Sequence, residues 1–253
     1  EPLDTWLKSR EGQGLALYLS GSDTPGDGDV TGLAVVDKQR HGIAKLAADL
    51  SVDEDAALQR WLESDDPKYL HEAKAAYHML RGRGIKLRGI AHDTAIAAYL
   101  LRPGQRTYAL EDVYQRHLQR QLSTSSDQLS LLEDSGDVDA ATAILELAAE
   151  LTKELREIDS YELYADLELP LVTVLAEMEH TGIAVDADVL EELRKDLTQK
   201  VEQVEEQARQ LVDEPTLNLS SPKQLSVVLF DKLDSSFSAP LPDPGGGEYG
   251  KHE

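Results

Sequence analysis

The sequence predicts an α/β protein in which a mixed β-sheet with flanking helices is followed by a helical segment. Three observations predict this fold class. Short apolar runs at hairpin spacing begin the chain, strand and helix patterns then alternate, and only helical patterns follow from about residue 108. This order, in which strands come first, strand–helix units follow and helices come last, is typical of a sheet covered by helices and followed by a helical extension.

The first elements are three short strands, predicted at residues 15–20, 31–37 and 41–46. The first strand reads LALYLS and is bounded by the turn-rich stretch GSDTPGDGD. Apolar runs separated by Gly, Pro and Asp are typical of paired strands. A helix is predicted next, because Ser51 can cap its first turn and Glu54, three residues later, completes a capping box.

Strands and helices then alternate. Residues 68–73 predict a short strand that leads into a helix, and Gly82 and Gly84 indicate where this helix ends. A buried strand is predicted at residues 87–92. Asp93 follows this strand directly and is expected to cap the next helix, since its carboxylate can accept hydrogen bonds from free backbone N–H groups.

Helical patterns occupy the rest of the chain. After a helix at residues 108–122, long helices are predicted at residues 138–158 and 161–180. The second of these contains Pro170, which predicts a kink because proline lacks a backbone N–H group. Residues 183–186 predict an extended link.

The most regular pattern lies in residues 188–212, which predict a helix roughly 37 Å long at about 1.5 Å per residue. Asp188 and Glu191 suggest a capping box at its start. Its apolar residues are spaced by three and four positions: Leu190, Leu193, Leu197, Val201, Val204, Ala208 and Leu211. Such a stripe is coiled-coil-like and needs a partner. We expect residues 221–233 to fold back against it in antiparallel orientation.

Composition limits the function classes. The net charge of −23 repels a phosphate backbone, which argues against a self-standing nucleic-acid binder. The chain has no cysteine, which excludes disulfides and thiolate metal sites. It has no signal peptide and no apolar run of about 18 residues, so we expect a cytoplasmic protein without a membrane partner.

Three stretches carry a resemblance to a known family. They are LHEAKAAYHMLRGRGIKLRGIAHDTAIAAYLLRPGQRTYALEDV at residues 70–113, LELPLVTVLAEMEHTGIAVDADVLEEL at residues 167–193, and LNLSSPKQLSVVLFDKL at residues 217–233. In this order and at this spacing they resemble bacterial family-A DNA polymerases of the DNA polymerase I type, with an actinobacterial character.

The resemblance implies a division of the chain into three parts. Residues 1–160 should form an RNase H-like, 3′–5′ exonuclease-like domain, and residues 161–233 should begin the polymerase thumb. Residues 234–253 depart from the expected thumb and, being rich in Ser, Pro and Gly, predict a disordered or atypical tail. The implied role is in DNA replication and repair, with DNA and the remainder of the polymerase as partners.

The resemblance also locates the positions of the nuclease ligands. In proofreading members four carboxylates hold two divalent metal ions. The matching positions here are Tyr18 and Ser20 on the first strand and Ala76, or a neighbour, on the helix after the fourth strand. Asp137 is a possible remnant, with Glu133 where the family has tyrosine. We therefore expect no catalytic residue, no metal site and no cofactor in this chain, although Mg²⁺ is expected for the full-length polymerase.

DNA contact is predicted at the start of a short helix in the third stretch. Small polar side chains and free N–H groups there suit phosphate binding. The candidate residues are Asn218, Ser220, Ser221, Lys223 and Gln224. Binding to DNA should be weak, or should occur only in the full-length protein. The basic island at residues 81–88 is a second candidate, or an ordinary surface loop.

Other polar residues favour structural roles. Asp93 fits a helix cap better than a metal ligand, and the spacing of His71 and His92 fits buried histidines with satisfied hydrogen bonds rather than a zinc motif. Asp27 and Asp29 lack the remainder of a calcium loop and predict a solvent-exposed turn.

Two alternative functions remain open. One is an active metal-dependent 3′–5′ exonuclease with rearranged ligands, for which acids from residues 27–29 or 53–55 would have to reach the site. The other is a helical protein-interaction module built on the long helix. The family's palm and finger motifs do not occur in the sequence, so we expect no polymerisation by this chain alone.

Overall fold

The computed structural model describes residues 1–122 and 134–232. It divides into two compact units, Glu1–Gly182 and a second unit that begins at Ile183. The sequence placed the boundary at residue 160 instead. The difference arises because the helix Leu169–Thr181 packs on the sheet-containing unit through Val172 and Ala176, which are both buried in its core.

The first unit contains a five-stranded mixed sheet with the order β3-β2-β1-β4-β5, so the predicted mixed sheet is confirmed. β1 pairs antiparallel with β2, and β2 pairs antiparallel with β3. β1 and β4 are parallel, as are β4 and β5. The strands are β1 (Leu15–Ser22), β2 (Asp29–Val36), β3 (Gly42–Leu46), β4 (Lys68–Leu70) and β5 (Ile90–Asp93).

Helices cover both faces of this sheet. In the first unit they are α1 (Leu3–Lys8), α2 (Val52–Leu62), α3 (Ala73–Gly82), α4 (Thr94–Leu101), α5 (Leu110–Leu118), α6 (Asp134–Glu157), α7 (Tyr161–Leu163) and α8 (Leu169–Thr181). A 3₁₀ turn at Ala47–Asp49 precedes α2, and a π-helical turn at Tyr164–Glu168 joins α7 to α8. Within the described residues, no helix combines the length and apolarity needed to cross a bilayer.

Alternate residues of the strands build two core layers, since successive side chains point to opposite faces. Leu15 and Leu17 of β1 face the layer formed by α1, α2, α3 and α8. Ala16 faces the other layer, where α4, α5 and α6 pack, and Tyr18 borders it. The strand pattern read from LALYLS is therefore buried on both faces.

A buried glutamate fastens α2 to its surroundings. The predicted capping box of Ser51 and Glu54 is confirmed. Glu54 also accepts a hydrogen bond from the backbone N–H of Leu3 at 2.9 Å and lies 3.3 Å from Lys45 Nζ. The hydrogen bond from Leu3, followed by those from Ser51, lowers the pKa of Glu54 to about 2.

Asp93 joins two helix starts. As predicted, its carboxylate caps α4, accepting from the N–H groups of Ala95 at 2.9 Å and Ile96 at 3.3 Å. It also accepts from Glu72 N–H at 3.2 Å and Ala73 N–H at 2.7 Å at the start of α3. Burial raises the pKa of Asp93, while these four hydrogen bonds act in the opposite direction.

The region around Pro170 differs from the predicted single kinked helix. The helix is interrupted before the proline by the π-helical turn, and Pro170 occupies the first turn of α8. A proline cannot donate the hydrogen bond that would continue an α-helix, so a wider turn is accommodated upstream. This turn places Tyr164 in the core, where its hydroxyl accepts from Asp93 N–H at 2.6 Å.

The second unit is helical. It contains α9 (Ala187–Leu211), α10 (Pro222–Ser226) and a π-helical turn at Val227–Lys232. The predicted long helix is thus confirmed, but its cap is Asp186, which accepts from the N–H groups of Asp188 and Val189. Glu191, the other half of the predicted capping box, instead pairs with Arg194 at 2.7 Å.

The apolar stripe of α9 is open to solvent. None of the described residues of α9 is buried, and Leu190, Leu193 and Leu197 expose about half of their surface. The expected antiparallel packing of residues 221–233 along the stripe is therefore wrong for the described part, residues 221–232. A short helix and a π-helical turn do not match the length of α9. The predicted tail, residues 234–253, lies outside the described residues.

Candidate functional site

The structure brings together three of the residues predicted at the nuclease site. Tyr18 and Ser20 lie on one face of β1, and Ser20 pairs across the sheet with Gly32. A Cβ atom on Gly32 would lie 2.7 Å from Ser20 Oγ and 3.5 Å from Asp137 Oδ2. Ser20 and Asp137 therefore both border the space left by the absent side chain of Gly32.

The surroundings of Tyr18 raise the pKa of its phenol. Burial raises the pKa of its phenol above the usual value, and the carboxylates of Asp137 and Glu111 raise it further. A phenol with a raised pKa remains protonated at neutral pH and is not an anionic metal ligand. The charge at this position differs from that of the aspartate which the resemblance implies.

Ala76 lies elsewhere. It is buried in the core layer formed by α1, α2, α3 and α8, whereas Tyr18 borders the layer on the other face of the sheet. The structure therefore does not place Ala76 in the group of Tyr18, Ser20 and Asp137. Its methyl group contributes packing and no ligand atom.

A cavity of about 490 Å³ opens beside Tyr18. His71, Glu72, Arg106 and Glu111 contribute to its lining, and of these only His71 was singled out in the sequence. His71 Nδ1 lies 2.8 Å from Thr94 Oγ1, and burial lowers the pKa of His71 to about 4. The histidine is therefore neutral under ordinary conditions.

The donor set does not fit two divalent ions. Mg²⁺ prefers several hard oxygen ligands, usually including carboxylates, and the predicted positions supply one carboxylate, one hydroxyl and one protonated phenol. Across residues 1–122 and 134–232, no three His, Asp or Glu side chains are arranged to hold a metal ion.

Three of the acids considered as rearranged ligands, Asp29, Glu54 and Asp55, are engaged elsewhere. Glu54 binds the start of α1, and Asp55 pairs with Arg83 at 3.1 Å. Asp29 Oδ1 accepts a hydrogen bond from Val30 N–H at 2.8 Å at the start of β2. The basic island is partly paired too, because Arg88 lies 2.9 Å from Asp65.

The two histidines singled out in the sequence are not fully satisfied. His92 is buried against Tyr164, with ring centroids 5.2 Å apart. Both of its ring nitrogens lack a hydrogen-bond partner, as does Nε2 of His71. Burial lowers the pKa of His92 to about 4. The expectation that both histidines form hydrogen bonds is therefore wrong for His92. It is right for only one ring nitrogen of His71, Nδ1.

The five predicted DNA-contact residues share one turn in the second unit. Asn218 Oδ1 accepts from Ser220 N–H at 2.9 Å, and Gln224 Oε1 accepts from Asn218 N–H at 2.9 Å. Ser221 caps α10 by accepting from Gln224 N–H at 3.4 Å. Local hydrogen bonds thus fix three of these side chains, while Lys223 is exposed.

Comparison with protein families and sequences identifies the first unit. Residues 22–128 match the family described as DNA polymerase I, ribonuclease H-like domain. DNA polymerase I of Mycobacterium bovis is 44% identical over 243 residues, covering 90% of this chain and 27% of that protein. The Bacillus subtilis enzyme is 34% identical over 220 residues, covering 81% and 24%. The chain thus spans about a quarter of the length of these curated relatives.

Solved structures agree with the sequence comparison. The chain matches the structure described as the POL domain of Pol1 from M. smegmatis in complex with DNA primer-template and dNTP. That match has a TM-score of 0.76 at 41% identity and covers 91% of this chain and 40% of the other. An apo nuclease with a TM-score of 0.55 at 17% identity shares the fold alone. Residues 22–128 therefore belong to the ribonuclease H-like domain of the DNA polymerase I family, and the chain is similar in sequence to bacterial DNA polymerase I over most of its length.

Proposed function

We propose that the chain serves DNA replication and repair as part of a DNA polymerase I. In this proposal the ribonuclease H-like domain is structural and has no nuclease activity, and the helical segment positions duplex DNA. The observation that carries the first half is the group formed by Tyr18, Ser20 and Asp137, which offers one carboxylate where a two-metal nuclease needs several.

The chemistry of phosphodiester hydrolysis explains why this group is inadequate. Two divalent ions would supply an activated water and would stabilise the leaving oxygen. The chain's own residues here hold a proton on Tyr18, a hydroxyl on Ser20 and a single negative charge on Asp137. The scaffold remains intact around them, because both core layers are filled.

The test of this half is primer degradation. The 253-residue chain should not shorten a 5′-labelled single strand in the presence of Mg²⁺ or Mn²⁺, and Asp137→Ala should behave like the wild type. The matched control is Asp139→Ala, an exposed acid on the same helix. Shortening that Asp137→Ala abolishes and Asp139→Ala preserves would contradict the proposal. Calorimetric titration that detects two bound Mn²⁺ ions would favour the exonuclease with rearranged ligands.

The proposed DNA role of the second unit rests on the relative from M. smegmatis, whose structure contains a DNA primer-template. Locally, the exposed Lys223 and the polar turn before α10 provide donors that suit phosphate oxygens. The net charge of −23 opposes this contact over the whole chain. We therefore expect weak binding that disappears as salt rises.

Lys223→Glu should weaken duplex binding at low salt and reduce the slope of log affinity against log salt by about one, the value for one lost phosphate contact. Fluorescence anisotropy over a salt series measures both quantities. Lys8→Glu, an equal charge change on α1, is the control. An unchanged affinity in Lys223→Glu would count against the proposed contact. A concentration-dependent oligomer without DNA binding would favour the interaction-module alternative.

A further inference from the structure

A groove of about 590 Å³ lies along α8 in the first unit; we call it the α8 groove. Leu171 and Leu175 form one apolar wall, with Ile96 of α4 and Pro25 of the β1–β2 turn also lining it. Leu171 is 36% exposed and Leu175 is 40% exposed. Val172 is buried in the core, so the helix is held in place while its outer leucines remain open.

Acidic side chains surround this apolar wall. Asp23, Glu72 and Glu168 line the groove together with Glu179. Lys74 lines it as well, but its ammonium lies 2.6 Å from Glu179, whose other oxygen lies 2.8 Å from His78 Nε2. The ammonium of Lys74 is therefore paired with Glu179 and not with the other acids of the groove.

Two neighbouring acids repel the carboxylate of Glu72. The pKa of Glu72 is raised by burial, and then by the neighbouring carboxylates of Asp93 and Asp23. Glu72 also has a left-handed backbone, with φ of 55° at the start of α3, a conformation that is uncommon outside glycine. The fold thus holds Glu72 close to other acids, where a bound cation would relieve the repulsion.

We propose that the α8 groove binds a basic aliphatic peptide segment of a partner protein, with a Lys or Arg placed next to Leu, Ile or Val residues. The cation would lie among Asp23, Glu72 and Glu168, and the aliphatic side chains would pack on Leu171 and Leu175. Charge complementarity selects this occupant over DNA, since a phosphate backbone would meet the same carboxylates. The inference goes beyond the proposed function and does not depend on it.

The probe is a fluorescein-labelled peptide of sequence Leu-Arg-Ile-Leu-Lys-Leu with blocked termini. It should bind the 253-residue chain saturably, and added salt should weaken the binding. A matched peptide with Glu in place of Arg and Lys tests the role of charge, and it should bind at least tenfold more weakly. Chemical-shift mapping by NMR should place the peptide at Ile96, Leu171 and Leu175.

Three variants locate the site. Leu171→Ser combined with Leu175→Ser, and Asp23→Asn combined with Glu168→Gln, should each weaken binding about tenfold. Val174→Ser, which alters an exposed residue of α8 outside the lining, should leave affinity unchanged. Circular dichroism checks that each variant is folded.

Five outcomes would overturn the proposal, and four of them come from the measurements with the peptides, the variants and DNA. These four are no saturation up to about 1 mM peptide, equal affinity for the charge-reversed peptide, an equal loss in Val174→Ser, and displacement of the peptide by oligothymidylate. Arginine ethyl ester distinguishes a small cation from a peptide. If it competes as well as the peptide does, the groove recognises only an isolated charge and the peptide proposal fails.

Discussion

Asp93→Ala is expected to lower the free energy of unfolding by about 3–4 kcal/mol, because the carboxylate caps two helices at once. Its oxygens accept from two N–H groups at the start of α4 and two at the start of α3. Loss of one cap typically costs about 1–2 kcal/mol. Donors left buried without a partner add to this loss.

Equilibrium unfolding in urea measures the effect. Asp93→Asn retains one carbonyl acceptor and should lose less stability than Asp93→Ala, whereas the exposed Asp139→Ala should change it by less than about 0.5 kcal/mol. A loss below about 1 kcal/mol in Asp93→Ala would show that water replaces the carboxylate and that the double cap matters little.

His92→Phe is expected to stabilise the protein by about 1–2 kcal/mol at neutral pH. The histidine is 3% exposed, and neither ring nitrogen has a hydrogen-bond partner. Phenylalanine has a similar flat shape and removes both unsatisfied polar atoms. It can also keep the ring contact with Tyr164, whose centroid lies 5.2 Å from that of His92.

The gain should increase in acid. Burial lowers the pKa of His92 from 6.5 to about 4, so the folded state disfavours the protonated ring. Stability from this residue is complete above pH 6.5 and falls as pH drops towards 4. The total loss is roughly 3 kcal/mol. The phenylalanine variant has no such group and should lack this component.

Urea unfolding at several pH values between 7 and 4 tests this prediction. The difference in stability between His92→Phe and wild type should widen as pH falls. Glu54, whose pKa is lowered from 4.5 to about 2, contributes stability that is lost only below about pH 4.5, outside most of this window. A difference that is independent of pH would contradict the assignment to His92.

Local chemistry explains why several elements could be predicted from the sequence. The capping box of Ser51 and Glu54 and the cap at Asp93 depend on residues two or three positions apart. Likewise, helix α9 could be predicted because its apolar residues recur every three or four positions, which matches the period of an α-helix. The cap of α9 was misplaced because Asp186 and Asp188 both suit the position, and only the backbone shows which one precedes the first turn.

Long-range contacts explain what could not be predicted. Helix α8 belongs to the first unit because Glu179 binds Lys74 and His78 about a hundred positions earlier, and because Glu177 accepts a hydrogen bond from Tyr77. No local pattern in residues 161–182 contains this information. The boundary at residue 160 was what the family resemblance implied.

Of the two candidate sites, one could be predicted from the sequence and the other could not. The resemblance indicated Tyr18, Ser20, Ala76 and Asp137. The structure places Ser20 and Asp137 beside Gly32 and Tyr18 within electrostatic reach of Asp137, but Ala76 lies in the other core layer. The α8 groove could not be predicted, since it is assembled from the β1–β2 turn, α3, α4 and α8. Its acids Asp23, Glu72, Glu168 and Glu179 belong to no motif in the sequence. Their significance depends on the leucines that lie beside them in the fold.

The π-helical turn at Tyr164–Glu168 determines which side chains of α8 face the core, because it fixes the rotation of α8 about its own axis. Successive residues of an α-helix are about 100° apart around the axis, so one residue more or fewer in this turn would rotate α8 by that angle. At the present phase Val172 and Ala176 point inward and Leu171 and Leu175 point outward. A single insertion at this point would turn Leu171 and Leu175 inward, and a single deletion would turn Val172 and Ala176 outward, while every side chain of α8 remained chemically the same.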